Sequence, residues 1–408
     1  MNTVGIVAEY NPFHNGHKYH IEETRRITSC DDIIVALSGN FVQRGEPAII
    51  DKWARTRCAL LNGVSIVIEL PVLFSTAGAQ YFAHSAVKLL NDTGIVDFLS
   101  FGSEMGSLSQ LKKTAKILAT ESCQLSTEIK NNLEKGLTYA VARQSALEEI
   151  TEKSHSFISS SNNILAIEYL KALYNINSNI TPVTVKRIGE GYNSANTSAP
   201  YPSASALRKA VASGNLEILK SAMPKNVQEM FTYTVQNGSS PIYLNDFSAQ
   251  LNYCLRSKTP QELSKILDIN EGLENRILKS LATCYNIDEI LTFIKTKRYS
   301  HTTLQRGLLH ILLSVETDTI KEYQQNGYSP YIRVLGFRKD RQHLLRSLIE
   351  NATIPVITNV KRDEDNLDES GKSLFNLEKK STDLYFMAAP SQKHRNINKE
   401  YTTPMVIV

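Results

Sequence analysis

Short runs of β-branched and aliphatic residues alternate with helical stretches through the first half of the chain, and this alternation constrains the fold most. The runs are almost continuously apolar, which is typical of strands buried on both faces of a parallel sheet. The pattern predicts a doubly wound α/β domain, with helices on both faces of its sheet. The predicted strands cover residues 4–8, 33–37, 65–70, 98–101 and 182–188, and the predicted helices cover residues 16–27, 51–62 and 83–90.

The strand signal fades from about residue 217, where apolar residues begin to recur at helical spacing. Strand character returns at residues 332–335 and 354–357, around a charged helix predicted over residues 340–349. We therefore predict an α/β domain over residues 1–216, a helical domain over residues 217–330 and a C-terminal segment over residues 331–408. The sequence leaves open whether this last segment is a separate domain.

Composition excludes several classes of protein. Hydrophobic residues make up 42% of the 408 residues and charged residues 21%, the balance of an ordinary globular protein. Apolar runs are too short to span a membrane, so we expect a cytoplasmic protein. The five cysteines are far apart and odd in number, which predicts neither a disulfide framework nor a zinc site. A formal net charge of +4 does not by itself indicate a nucleic-acid partner.

A buried strand, a loop and the start of a helix meet in residues 5–20, GIVAEYNPFHNGHKYH. Ligands collect at the carboxyl ends of parallel strands, and the N–H groups of a helix start attract phosphate. Gly16 would let a ligand approach the backbone closely, while His14 and His17 could donate hydrogen bonds to phosphate oxygens in a transition state. The spacing alone also fits metal ligands or capping histidines. Since no acidic third ligand is near in sequence, we predict that His14 and His17 are catalytic and bind no metal.

A second cluster, SASALR at residues 203–208, follows the predicted strand that ends near Arg187 and opens another helix. The hydroxyls of Ser203 and Ser205 and the guanidinium of Arg208 would make a phosphate cradle. Alone, this segment would more simply be a helix cap. Its position downstream of the two histidines favours phosphate binding.

The H-x-G-H motif and the later S-x-S-x-x-R motif resemble the adenylyltransferase superfamily related to class I aminoacyl-tRNA synthetases. Longer segments resemble the tRNA(Met) cytidine acetate ligase family more closely. This resemblance implies a HUP-like Rossmannoid nucleotidyltransferase domain, which binds ATP within residues 1–216, followed by a mainly α-helical C-terminal region. The segments are EYNPFHNGHKYH, LSGNFVQRGEPAIIDKWARTRCALLNGVSIVIELP, FSTAGAQYFAHSAVKLL, SASALRKAV and TKRYSHTTLQRGLLHILL.

The resemblance implies an enzyme that joins acetate to ATP and then transfers the acetyl group from acetyl-adenylate to the wobble cytidine of elongator tRNA(Met). Mg²⁺ would arrive bound to the ATP phosphates, and neither a membrane nor a stable protein partner is implied. By position, the ATP-binding residues would be Val7, Ala8, Glu9, Tyr10, Asn11, Pro12, Phe13, His14, Asn15, Gly16, His17, Lys18, Tyr19, His20, Gly102, Asn162, Arg187, Ile188, Ser203, Ser205 and Arg208.

Several of these residues have simpler explanations. Gly102 is a strand-end glycine that would also suit a turn. Asn162 would serve equally well as the cap of a helix that begins at Ile164, and the choice between Asn162 and Asn163 as the nucleotide contact stays open. Arg187 could pair with a surface carboxylate, although its place at the sheet edge favours phosphate.

Two further groups of residues are candidates for a second substrate. Gln43 and Arg44 lie in a loop that follows the second predicted strand, where a merely solvated loop is an equal alternative. Positive charge also concentrates in the helical region, and a later basic set begins at Arg333. Such runs are usually solvated faces, but aligned cations would bind tRNA phosphates without base-specific contacts. The predicted tRNA-binding residues are Lys297, Arg298 and Arg306.

Two other functions fit part of the sequence. A small-molecule adenylyltransferase would use the same two motifs, but it would not require the long helical half with its basic clusters. A non-catalytic RNA-binding module would not need His14, Gly16, His17 and Arg208, all of which are present.

Overall fold

The computed structural model describes residues 2–120, 123–137, 139–151, 156–188 and 201–408. The first half alternates strands with helices. Its strands are β1 (Thr3–Ala8), β2 (Asp32–Ser38), β3 (Phe41–Val42), β4 (Glu46–Pro47), β5 (Ile66–Leu70), β6 (Phe98–Ser103) and β7 (Thr181–Lys186). Its helices are α1 (Asn15–Thr28), α2 (Lys52–Leu61), α3 (Val72–Ser75), α4 (Ala79–Asp92), α5 (Leu108–Ala119), α6 (Cys123–Glu134), α7 (Tyr139–Thr151) and α8 (Ser161–Asn175).

The second half is mainly helical. Helices α9 to α17 are Ala204–Ala212, Glu217–Ala222, Lys225–Gln236, Ser248–Arg256, Pro260–Leu263, Leu273–Ser280, Ile287–Ile294, His301–Leu313 and Thr317–Gln325. The remaining elements are β8 (Ile332–Phe337), α18 (Gln342–Asn351), β9 (Val356–Ile357), α19 (Val360–Asp363), α20 (Glu369–Met387), α21 (Lys399–Thr402) and β10 (Val406–Ile407). None of the helices in the described part of the chain combines the length and apolarity that a membrane span needs.

The main sheet has the strand order β10-β8-β5-β2-β1-β6-β7, with β9 beside β8. Strand β1 pairs in parallel with β2 and β6, so that Gly5 lies between Ile34 and Leu99. The predicted fold class, a doubly wound parallel-sheet domain followed by a helical region, is confirmed. Strand β8 differs because it runs antiparallel to β5. Residues beyond 331 thus extend the same sheet, while the proposed three-region division stays a prediction.

Helix α8 begins three residues earlier than the sequence predicts. Its N-cap is Ser160, and Asn162 lies in its first turn. The alternative in which Asn162 caps a helix beginning at Ile164 is therefore wrong. The run of serines before Asn162 offers several cap residues, and propensity does not choose among them.

Five charged side chains from distant parts of the chain are buried together. Lys52 Nζ lies 2.5 Å from Glu69 Oε1, 3.6 Å from Glu378 Oε1 and also pairs with Glu400. Arg333 completes the cluster, with its NH2 group 3.3 Å from Glu400 Oε2. Because Arg333 is only 4% exposed, it cannot belong to an RNA-binding surface, contrary to the sequence-based expectation.

The charges of this cluster balance if one carboxyl group keeps its proton. Burial raises the pKa of Glu69 well above its ordinary value, and the neighbouring Glu378 raises it further. Burial opposes the charge on Lys52, but Glu400 and the other carboxylates hold its pKa above the ordinary value. Two cations then face two carboxylates and one neutral carboxyl group. The three acidic groups could otherwise hold a metal ion, but the Lys52 ammonium occupies their centre.

Helix α20 holds the loop of residues 39–47 in place. The Tyr385 hydroxyl donates a hydrogen bond to the carbonyl of Ala48, at 2.8 Å. Asn40 donates through Nδ2 to Thr382 Oγ1 and accepts at Oδ1 from the backbone N–H of Lys52, at 3.3 and 2.9 Å. The C-terminal segment therefore supports a loop that belongs to the N-terminal sheet.

Helix α16 is fixed against the same domain. Gly45, with a φ of +77°, packs directly on the backbone of Arg306, where a Cβ atom would clash. The buried His310 lies with Nε2 3.3 Å from Thr76 Oγ1, which follows α3. Arg306 in turn pairs with Asp268 at 2.8 Å. The contacts of Gly45 with Arg306 and of Thr76 with His310 hold the helical region to the sheet domain.

We expect Lys52→Met to lower the free energy of unfolding by about 3–5 kcal/mol, because it leaves buried carboxylates without their central cation. Urea unfolding at neutral pH measures the loss. Lys220→Met is the matched control, since its partner Glu217 and Lys220 itself are both largely exposed, and it should change stability little. Equal small losses in both variants would show that the buried cluster is not a main source of stability.

Candidate active site

A cavity of about 650 Å³ opens at the carboxyl ends of β1, β6 and β7. This is the sheet edge where an open parallel sheet binds its ligands. The predicted ATP-site residues that line it are Val7, Ala8, Glu9, Tyr10, Asn11, His14, Gly16, His17, Tyr19, His20, Gly102, Asn162, Arg187, Ile188 and Ser203. The predicted residues that do not line it are Pro12, Phe13, Asn15, Lys18, Ser205 and Arg208.

The residues outside the cavity wall have other contacts. Phe13 is fully buried in the core. The Lys18 side chain is 48% exposed and lies 3.9 Å from Glu22. Arg208 donates to the carbonyl of Asn11 at 2.8 Å and forms an ion pair with Glu46. In this arrangement Arg208 ties the loop before α1 to β4.

His14 and His17 are held by the backbone at the start of α1. His14 is the N-cap, and its Nδ1 accepts a hydrogen bond from the N–H of Gly16 at 3.0 Å. His17 Nδ1 accepts from the N–H of His14 at 3.2 Å, and the two rings stack with centroids 3.7 Å apart. Since both Nδ1 atoms accept, each neutral ring carries its proton on Nε2. The capping role and a donor role towards phosphate are therefore compatible.

Gly16 is required by the position of the His14 ring. A Cβ atom at residue 16 would lie 2.9 Å from His14 Cε1, so any side chain there would push the ring aside. The glycine therefore keeps His14 in the capping position as well as leaving the backbone accessible to a ligand.

Three histidines of this cavity, His14, His17 and His20, are neutral at pH 7. Burial lowers the pKa of His14 to about 3 and that of His20 to about 4, and the charge of Arg187 acts in the same direction. Burial also lowers the pKa of His17 well below its ordinary value, followed by the effects of His14 and Arg187. Neutral imidazoles can donate through Nε2–H to an anion without the cost of burying a charge of their own.

Glu9 connects the cavity to the loop of residues 39–47. Its partly buried carboxylate accepts from the N–H of Gln43 at 3.0 Å, and desolvation raises its pKa above the ordinary value. Arg55 of α2 donates to the carbonyl of Glu9 at 2.7 Å. Gln43 and Arg44 both line the cavity.

The two neighbouring asparagines of α8 have different surroundings. Asn162 lines the cavity, donates to Glu104 Oε1 at 2.6 Å, and accepts from Arg187 at 3.4 Å. Asn163 is buried, and its Oδ1 accepts from the backbone N–H groups of Glu104 and Met105. The geometry therefore favours Asn162 as a ligand contact, with Asn163 shaping the loop after β6.

The N-terminal end of α16 contributes residues that the sequence analysis did not select. Ser300, His301, Thr302 and Gln305 all line the cavity. A serine just before a run of helical periodicity is a helix-start signal, and Ser300 Oγ does accept from the N–H of Thr303 at 3.0 Å. That signal locates the helix but cannot show which distant residues it faces.

The predicted tRNA-binding residues lie near this end of α16 but differ in surroundings. Lys297 and Arg298 are exposed, and Arg298 NH1 lies 2.9 Å from Glu271 Oε2. The side chain of Arg306 is only 11% exposed and is paired with Asp268. Their role in tRNA binding stays a prediction.

Comparisons with known proteins agree along the whole chain. The profile of the family described as HIGH Nucleotidyl Transferase matches residues 1–400. A tRNA(Met) cytidine acetate ligase from a Thermoanaerobacter species is 42% identical over 390 residues, which cover 95% of this chain and 96% of that one. A protein of the same name from Acetivibrio thermocellus is 39% identical, with 100% of both chains covered. The crystal structure of Thermotoga maritima TmcAL bound with alpha-thio ATP has a TM-score of 0.94 at 30% identity, again over 100% of both chains.

We expect the free energy of unfolding to fall as the pH is lowered below about 6.5. The histidines of the unfolded chain then bind protons, whereas His14, His17 and His20 of the folded protein stay neutral because their pKa values are lowered. For His14, whose folded pKa is about 3, the loss between pH 6.5 and 5.5 is about 1 kcal/mol. His14→Asn keeps a capping side chain and removes this titration. Urea unfolding at the two pH values should show a smaller loss in the variant, and identical losses would contradict the assignment.

Proposed function

The chain belongs to the tRNA(Met) cytidine acetate ligase family, and from this premise we propose that it acetylates the wobble cytidine of elongator tRNA(Met) with acetate and ATP. The proposal is carried by one observation: two histidines that accept backbone hydrogen bonds at Nδ1, and so carry their protons on Nε2, line a cavity at the carboxyl ends of the parallel strands. The two rival functions are not favoured, because the relatives named as this ligase match the helical region as well.

The proposed reaction has two steps. An acetate oxygen attacks the α-phosphorus of ATP, the bond to the bridging oxygen breaks, and pyrophosphate leaves. The N4 amine of the cytidine then attacks the acetyl carbon, the bond to the AMP oxygen breaks, and the amine loses one proton. Both steps place growing negative charge on phosphate oxygens, which positioned hydrogen-bond donors stabilise.

We assign that stabilisation to His14 and His17, which would donate through Nε2–H, with Arg187 supplying a positive charge nearby. Among the described residues, the cluster of three carboxylates is filled by Lys52, so it is unsuited to Mg²⁺. We therefore propose that Mg²⁺ enters with ATP, whose phosphate oxygens it would bridge. A cytoplasmic location follows from the proposed substrates.

We expect the protein to catalyse acetate-dependent exchange of labelled pyrophosphate into ATP. His17→Ala should fold and lower this rate by roughly 100- to 1000-fold, the usual effect of losing one positioned donor to developing charge. His343→Ala, an exposed histidine on α18, is the matched control and should retain the rate. Near-normal exchange in folded His17→Ala would rule out the assigned role, and no exchange by the unaltered protein would rule out the function itself.

We expect the exposed cations beside α16 to act in tRNA binding and not in acetate activation. Lys297→Gln combined with Arg298→Gln should weaken tRNA binding and flatten its dependence on salt, because fewer counterions are released. Arg306 is left unchanged, since its loss would leave Asp268 without its partner. Binding is measured over a range of salt concentrations, and pyrophosphate exchange is measured in parallel.

The matched control for this double variant is Lys113→Gln combined with Lys116→Gln, two exposed cations of α5. If both double variants change the salt dependence equally, the effect is one of overall charge. If exchange falls while the salt dependence is unchanged, the RNA surface lies elsewhere.

A further inference from the structure

The N-terminal end of α16 forms a part of the cavity wall that carries no cation. Its cavity-lining side chains are two hydroxyls, an imidazole and an amide, from Ser300, Thr302, His301 and Gln305. Ser300 is occupied within its own helix, because its Oγ accepts from the N–H of Thr303 and bonds the hydroxyl of Thr302. His301 and Gln305 are left as the groups that could contact a ligand.

These two side chains are hydrogen-bonded to each other in one orientation. The distance from His301 Nδ1 to Gln305 Oε1 is 3.1 Å, and since an amide oxygen can only accept, His301 donates. The Gln305 amide nitrogen keeps two N–H donors, and no described residue accepts from them. His301 keeps Nε2 as an acceptor. The pair therefore offers donors and one acceptor side by side, in the manner of a nucleobase-reading site.

The pair is also fixed relative to the reaction site. Residue 306, the next in the chain, has its backbone packed on Gly45 of the loop that carries Gln43 and Arg44. One turn further, His310 is buried beside Thr76. A group that must read a base benefits from such rigid support, because its hydrogen bonds need a defined direction.

We infer that Gln305, oriented by His301, recognises the Watson–Crick edge of the acceptor cytosine. Cytosine presents one acceptor, N3, to a Gln305 amide N–H group, and its N4–H group is a donor to His301 Nε2. Uracil presents an N3–H donor to the same amide and an acceptor to His301, so both contacts become repulsive. Protein side chains read unstacked RNA bases through such edges. The inference rests on the proposed function, which supplies cytidine as the acceptor.

The test uses a short RNA hairpin with the tRNA(Met) anticodon loop, carrying either cytidine or uridine at the wobble position. The unaltered protein should bind the cytidine hairpin at least about 5-fold more tightly, as expected for good hydrogen-bond pairing. Gln305→Glu replaces the donor with an acceptor of the same shape, and it should abolish or reverse this preference. His301→Leu should weaken the preference without removing it. Acetate-dependent pyrophosphate exchange is measured in parallel in both variants, because a base-reading pair should affect hairpin binding more than this half-reaction.

Gln325→Glu, an identical change at an exposed position of α17, is the matched control and should keep the preference for cytidine. An unchanged preference in Gln305→Glu would overturn the inference, and so would a collapse of pyrophosphate exchange in that variant. Absence of exchange in the unaltered protein would overturn the proposed function as well, so the two failures are distinguishable.

Discussion

The burial of Lys52 among three carboxylates is the constraint on which the rest of this structure depends. A lysine and its carboxylate partners can be buried only if they form close ion pairs. Here the carboxylates come from β5, α20 and α21. The two ends of the chain must therefore fold as one unit. Asn40 accepts a hydrogen bond from the backbone N–H of Lys52. This bond fixes the loop of residues 39–47, which borders the cavity, to the buried cluster.

The electrostatics of the cavity differ from those of the buried Lys52 cluster. Burial lowers the pKa values of His14, His17 and His20 in the cavity wall, so these three rings are neutral at pH 7. Backbone N–H groups fix the protons of His14 and His17 on Nε2, which turns a helix cap into a pair of directed donors. An anionic ligand would contact neutral hydrogen-bond donors and the positive charge of Arg187. Such groups stabilise negative charge as it develops on phosphate oxygens.

Features that depend on local periodicity could be predicted from the sequence. Strand β1 and the H-x-G-H turn were predicted because a short apolar run, a loop and a helix start lie within twenty residues. Contacts between residues far apart in the chain could not be predicted in this way. Arg333 looked like a surface cation because nothing near it in sequence shows that Glu400 is its partner. For the same reason Gln305 was not recognised as part of the cavity wall.

The wide separation of Lys52 from its partners has a consequence for synthesis on the ribosome. Glu400 is added 348 residues after Lys52, which corresponds to roughly tens of seconds at ordinary elongation rates. For most of that interval the nascent N-terminal half contains a lysine in its core region that lacks two of its three acidic partners. The emerging chain should therefore stay loosely packed around α2 and depend on chaperones, and the substrate cavity should close into its final shape only when translation is nearly complete.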